Sequence, residues 1–260
     1  MTETATPKLK VAGLSKSFGA NRALVDIDLE VGAGESLVLI GGSGSGKTLL
    51  LKCILGLLPP DRGSVLLDGE ETAKLNGNER MRFLDRFGML FQQSALFDSL
   101  PVWQNVAFKL LQDHSVSRAQ ARDIAIDKLS HVGMGPEVAD LFPAELSGGM
   151  QKRVGLARAI AADPEIVFLD EPTAGLDPIM SNIINDLVIE NVKELGATAV
   201  SITSDLVSAR RISDHIAMLH EGRLVWSGPT SEVDSSGNDY VDQFINKRTT
   251  GPIKMPVRAS

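Results

Sequence analysis

Gly41-Gly42-Ser43-Gly44-Ser45-Gly46-Lys47-Thr48 follows a continuous apolar run, Ser36 to Ile40, and leads into a stretch of helical character, Thr48 to Leu57. The octet fits G-x-x-x-x-G-K-[ST] in the strand, loop and helix setting that this pattern requires. Its glycines let backbone N–H groups turn inward around phosphate oxygens, and the helix N-terminus adds a favourable dipole. Lys47 is placed to reach β- and γ-phosphates, and the Thr48 hydroxyl to ligate Mg²⁺. A strand opening onto such a loop decides the fold class: an α/β domain with a largely parallel sheet.

Outward from this loop, the same alternation continues. Glu165 to Leu169 and Ala197 to Ile202 read as two more buried strands. Asp170 ends the first of them, where a carboxylate can hold a Mg²⁺ shell. Glu171 lies one step further, at the carboxyl edge of the sheet, and reads as a general base that polarises water, or as a capping acid before Pro172. Between Gln92 and Ser147 the pattern turns helical, Val102 to Leu111 and then Arg118 to Val132, which reads as a separate helical subdomain. The first ~30 residues and Ile216 to Gly228 read as shorter strands and turns, with Glu221-Gly222 as a hairpin signal. From Thr249 onward the periodicity stops, so that segment is expected to be disordered or to order on a partner.

Composition bounds the rest. At 260 residues and 43% apolar content the chain can bury a substantial core. A net charge of −7 argues against a nucleic-acid surface. The single cysteine, Cys53, excludes an intrachain disulfide and reads as a buried core thiol. Met1 to Lys10 lacks the apolar stretch of a signal peptide. No apolar run approaches the ~20 residues that span a bilayer, so any work on a membrane is expected to go through a partner.

Leu146-Ser147-Gly148-Gly149-Met150, just ahead of Asp170-Glu171, resembles the signature of the ATP-binding cassette (ABC) transporter ATPases, and the resemblance covers nearly the whole chain. Ser147 can cap a helix from about Gly148 to Ala162, whose first amides then face an anion. The resemblance implies a P-loop (RecA-like) core with an antiparallel β subdomain and an inserted helical subdomain. The ATPase domain would span 1–248, its helical part about 93–147, with a tail at 249–260. It implies ATP and Mg²⁺ as ligands. Phe18 falls where the family stacks an aromatic on adenine. Gln92 matches the glutamine that senses Mg²⁺ and links to the membrane partner, and is preferred over the neighbouring Gln93. Asp177, in Ala174-Gly175-Leu176-Asp177, resembles the residue that crosses the dimer interface. One cradle and one signature per chain imply a head-to-tail homodimer, with Ser147, Gly148 and Gly149 serving ATP in trans.

One position departs from the family. Thr203-Ser204-Asp205 carries Ser204 where the family has its switch histidine. A serine hydroxyl donates, but reaches less far and carries no charge. Either Ser204 works through a water and hydrolysis survives, or the subunit binds ATP well and turns it over slowly, as a nucleotide switch. None of His114, His131, His215 or His220 sits where it could substitute.

Met150-Gln151-Lys152-Arg153 is similar to the phospholipid-trafficking branch, the Mla-type ATPases that serve Mce-protein systems. Ala95 to Leu100, Val102 to Val106, and the end from Gln243-Phe244-Ile245 to Gly251-Pro252-Ile253 resemble that branch too. This resemblance implies a subunit peripheral to the cytoplasmic face of a membrane, working with an integral permease and, through the complex, an Mce-type lipid-binding protein. Phe97 and Trp103 are the expected apolar anchors for the permease, with core packing as the competing reading. Another small-molecule importer remains the alternative. Soluble ABC proteins of translation or DNA repair usually carry two cassettes or a long coiled coil, and neither is visible here.

Overall fold

The computed structural model describes residues 6–72, 75, 77–114 and 116–254. Two sheets organise them. The first contains β1 (Leu9–Phe18), β2 (Asn21–Val31), β4 (Arg62–Leu67) and β5 (Glu70–Glu71) in the order β2-β1-β4-β5, with every pair antiparallel. The second has the order β10-β9-β3-β8-β7-β6. Its members are β3 (Ser36–Ile40), β6 (Phe87–Leu90), β7 (Ile166–Asp170), β8 (Thr198–Ile202), β9 (His215–His220) and β10 (Arg223–Pro229). Pairing is parallel from β9 to β6, and only β10 runs antiparallel, at the edge.

The parallel strands are apolar on both faces because both are covered. Leu37 and Leu39 of β3 join a core with α1 (Lys47–Ile54) and the inner face of the antiparallel sheet, while Val38 and Ile40 face the opposite core. That second core is closed by α8 (Leu206–Ile212) and α9 (Asp239–Ile245). In β7, Ile166 and Phe168 point to the first core; Val167 and Leu169 point to a third, built with α6 (Gly148–Ile160) and α7 (Pro178–Leu195).

The helical insertion comprises α3 (Val102–Val106), α4 (Phe108–Gln112) and α5 (Arg118–His131). Its apolar residues share the third core with α6, α7 and β7, so it is continuous with the main body instead of having a core of its own. The single helix expected from Val102 to Leu111 breaks at Ala107 (φ −84°, ψ 12°), and the turn lays Phe108 against Phe97, ring centroids 4.4 Å apart. Ahead of the insertion, α2 (Gly77–Asp85) leads into β6.

Two further expectations need correction. The opening strands are not short: β1 and β2 have 10 and 11 residues. The tail to Lys254 packs on its own chain: the Gln243 amide donates to the carbonyls of Arg248 (3.3 Å) and Ile253 (3.0 Å), and accepts from the Ile253 N–H (2.6 Å). Residues 255–260 lie outside the described residues. Among the described residues no helix is long and apolar enough to cross a membrane.

Candidate nucleotide site

The cradle forms because β3 ends in a loop whose path requires glycine where it begins and where it meets the helix. Gly41 has φ 144°, where a Cβ would collide with the Leu219 carbonyl; Gly46 has φ 107°, where a Cβ would lie 2.8 Å from Leu24. Gly46 is also the N-cap of α1 and brings no side-chain cap, leaving the first amides of that helix to an anion. The β9–β10 turn locks the loop from the other side: Gly222 N–H donates to Ser45 O (3.0 Å), and Val25 N–H donates to Gly222 O (2.8 Å).

The result is a cleft of about 630 Å³ between Gly44–Thr48, the start of β2 at Asn21–Ala23, and the turn Glu221-Gly222. Lys47 is buried, its ammonium donating to the carbonyls of Gly41 (2.8 Å) and Gly42 (3.0 Å). Burial pulls its pKa down, against the pull of Glu171 and Asp170. Phe18 ends β1 opposite Asn21 and is 53% exposed, so it is not a core residue; Lys16 lies over its ring at 5.7 Å.

Asp170 closes β7, half-buried, its pKa raised by burial and by the neighbouring Glu171 charge. Glu171 caps no helix. It has φ 47°, a left-handed conformation that costs a residue with a side chain about 1–3 kcal/mol. The kink turns its carboxylate back toward the end of β8, where Oε2 accepts from Thr203 Oγ1 (3.3 Å) and Ser204 Oγ (3.4 Å). Glu171 and Ser204 line a second cleft of about 520 Å³ with Ala174–Leu176, Ser181 and Asp205. Asp205 caps α8, accepting from Val207 and Ser208 N–H (3.1 Å each).

Ser147 caps α6 as the sequence suggests, accepting from Met150 N–H at 3.3 Å. Ser147 and Gly148 are exposed, while Gly149 packs against Met180. Neither cleft is lined by the signature, so one chain does not bring Ser147 to its own Lys47. Asp177 caps α7 through Ile179 and Met180 N–H, both at 2.9 Å. Gln92 and Gln93 are both exposed on the loop after β6.

Of the two expected surface anchors, only one is at the surface. Phe97 is 43% exposed. Trp103 is 6% exposed, sits in the third core and receives the Arg118 guanidinium over its ring at 5.0 Å, so it is a packing residue. Cys53 is buried as expected, with its thiol pKa pushed up by burial.

Two residues escaped the sequence reading. Thr203 lies in a strand-end context that gave no sign of its bond to Glu171. Lys152 is 5% exposed, its ammonium donating to the Gln92 carbonyl and to the Glu171 carbonyl (3.0 Å). A signal for it existed: on α6 it stands in phase with buried Gly149, Leu156 and Ala159, where a lysine is out of place.

A strand-to-cradle turn, a carboxylate pair at the end of a parallel strand two places away in the same sheet and a separately capped Ser-Gly-Gly helix together define an ATP-binding cassette. The ABC transporter family profile matches residues 24–174. The chain is 41% identical over 247 residues to the probable ribonucleotide transport ATP-binding protein mkl of Mycobacterium leprae, covering 95% of this chain and 71% of that one. It is 34% identical to the intermembrane phospholipid transport system ATP-binding protein MlaF of Haemophilus influenzae, over 95% and 93%. Among solved structures, the dimeric post-hydrolysis cassette MJ0796 bound to ADP and Pi superposes with a TM-score of 0.78 at 30% identity, over 85% of this chain and 98% of that one. The chain belongs to the ABC transporter family, as an ATP-binding subunit with ATPase activity.

Proposed function

We propose that this subunit powers phospholipid trafficking through a separate integral-membrane permease, to which it binds peripherally at the cytoplasmic face. The near end-to-end similarity to MlaF carries this reading. Met150-Gln151-Lys152-Arg153 and the stretches Ala95 to Leu100 and Val102 to Val106 support it. Phe97, exposed beside the Gln92 loop, is the anchor for the permease, and an Mce-type lipid-binding protein joins through the complex. The name of the mkl relative motivates a second reading, ribonucleotide transport.

In hydrolysis, Gly41 to Thr48 cradle the phosphates and Lys47 swings from the loop carbonyls to the β- and γ-phosphates. Phe18 stacks on adenine. Thr48, Gln92 and Asp170 offer hydroxyl, amide and carboxylate oxygens, the hard donors that suit Mg²⁺. When bound, the ion neutralises phosphate charge. Glu171 takes the proton of the attacking water, oriented by Thr203 and Ser204. The exposed Ser147 amide end and Asp177 of a second copy complete each site. This fits a chain whose signature stands away from its own cradle, and it resembles the dimeric cassette MJ0796.

Two experiments test these statements. In proteoliposomes holding the chain with its co-purifying permease, phospholipid should move between membranes in an ATP-dependent way. Transport of ribonucleotides and not lipid would select the second reading. Glu171→Gln should leave ATP binding intact and lower turnover by roughly 10²- to 10⁴-fold, as loss of a general base does; unchanged hydrolysis would remove Glu171 as the base.

A further inference from the structure

We infer that Lys152 is a positioning residue for hydrolysis: one buried ammonium ties the backbone of Gln92 to the backbone of Glu171 and sets both from the signature helix. The inference rests on the roles proposed above for Gln92 and Glu171.

The geometry is specific. Lys152 Nζ donates to the Gln92 carbonyl and, at 3.0 Å, to the Glu171 carbonyl. Glu171 needs such support because its φ of 47° is unfavourable for a residue with a side chain. Its N–H is held from β8, donating to Ile202 O at 2.8 Å, and its carbonyl is held from α6 by Lys152. The peptide units on either side of Glu171 are thereby pinned, and the direction of its carboxylate follows.

The other end of the tie is a strained loop. Ser94 and Ala95 both have positive φ, 58° and 46°. Arg158, six residues along α6 from Lys152, donates to the carbonyls of Ser94 and, at 2.7 Å, Ala95. Its guanidinium lies 6.0 Å from the Phe91 ring centroid. Between the two cations Gly155 lets the loop approach; a Cβ there would stand 2.7 Å from Leu90 Cδ1 and 3.2 Å from Ser94 Cβ. Lys152, Gly155 and Arg158 form one stripe at i, i+3 and i+6 that grips the whole Gln92 loop. At its N-terminus the same helix carries Ser147. A rigid shift of α6 therefore moves Gln92 and Glu171 together.

Burying a lysine this deeply is costly, and two carbonyls with Asp170 and Glu171 nearby offset the cost. An apolar residue of similar length would fill the space more cheaply if packing were the only demand.

The test is steady-state ATPase of the assembled transporter with Lys152→Met and Lys152→Arg. Lys152→Met should lower kcat about 10- to 100-fold, the cost of sub-ångström misplacement. KM for ATP should stay within about twofold, since the cradle from Gly41 to Thr48, with Lys47 braced on its own loop, is not touched. Lys152→Arg, whose fork can bridge two carbonyls, should restore most of the rate. Wild-type kcat in Lys152→Met would overturn the inference, as would parallel losses in kcat and ATP affinity or an arginine variant no better than methionine. If Lys152→Met does not fold, Lys152→Gln, which keeps N–H donors but shortens the reach, makes the same comparison against Lys152→Arg. Failure of the underlying reading is separable. A hydrolytically competent Glu171→Gln removes the base, whereas an inactive Glu171→Gln beside a fully active Lys152→Met removes only the tie.

Discussion

Ser204 Oγ donates to Glu171 Oε2 at 3.4 Å, so the residue standing where the family has its histidine is bonded to the carboxylate proposed as base. The bond is long, and Thr203 supports the same oxygen at 3.3 Å. Ser204 is thus a weak second donor whose hydroxyl is engaged with Glu171. Ser204→His supplies a donor with longer reach that can carry charge. Since a donor aimed at transition-state charge is worth ~10²-fold or more, we expect ATPase turnover of the assembled transporter to rise about tenfold or more. Equal rates would show that the serine, directly or through water, already fills the role.

Lys47 makes its hydrogen bonds to the loop that it completes, with Gly41 and Gly42 carbonyls as partners. In Lys47→Ala the cradle loses both this brace and the cation for the phosphates. Hydrogen bonds to charged groups are worth about 1.5–3 kcal/mol, so ATP affinity should fall roughly 10- to 100-fold. Equilibrium binding of a fluorescent ATP analogue reads this directly, and undiminished affinity would count against the cradle assignment.

How far the sequence was legible depended on how local the determinant was. The P-loop, Ser147 as N-cap, Asp170 at a strand end and the β9–β10 hairpin are each specified within about ten residues, and each lies where the pattern puts it. Failures came where distant packing decides. No glycine or proline marks the break at Ala107, which coincides with Phe108 stacking on the distant Phe97. Trp103 reads equally well as anchor or core until α5 is seen to bring Arg118 over it. The Lys152 contacts join positions 60 and 19 residues apart, which no local pattern encodes.

Gly88 illustrates the same limit as a stability prediction. It sits in β6 against α6, where a Cβ would collide with the Ala159 carbonyl and lie 2.9 Å from Pro164. Backbone and a proline ring cannot swing aside, so Gly88→Ala must push the strand off the helix. Overpacking of this kind costs about 1–3 kcal/mol. At roughly 2–4 °C per kcal/mol for a chain of this size, the melting temperature should drop by about 2–12 °C. Differential scanning calorimetry checks it; an unchanged melting temperature would show the β6–α6 contact to be loose.

The two sheets are also clasped by charge. Lys8, ahead of β1, bonds both Asp68 after β4 and Glu165 ahead of β7, and Arg86, ahead of β6, bonds the same two carboxylates. The Arg86 hydrogen bond first, outweighing the opposing burial, and then Lys8 hold the Glu165 carboxyl at about 2, below its ordinary 4.5. A depressed folded-state value means the unfolded chain binds the proton more readily. The stabilisation is therefore full above pH ~4.5 and is lost as pH falls toward 2. Glu165 is 45% exposed, so solvent screens the pair and the net effect at neutral pH should stay near the ~1 kcal/mol upper range for exposed ion pairs. Urea denaturation of Glu165→Gln should show this deficit at pH 7, and a deficit that shrinks steadily as pH is lowered from 4.5 toward 2. Added salt should shrink it too, because the cluster is open to solvent on one side. A deficit that stayed constant through that pH range would mean that Glu165 acts by packing, and that the clasp between the sheets is not ionic.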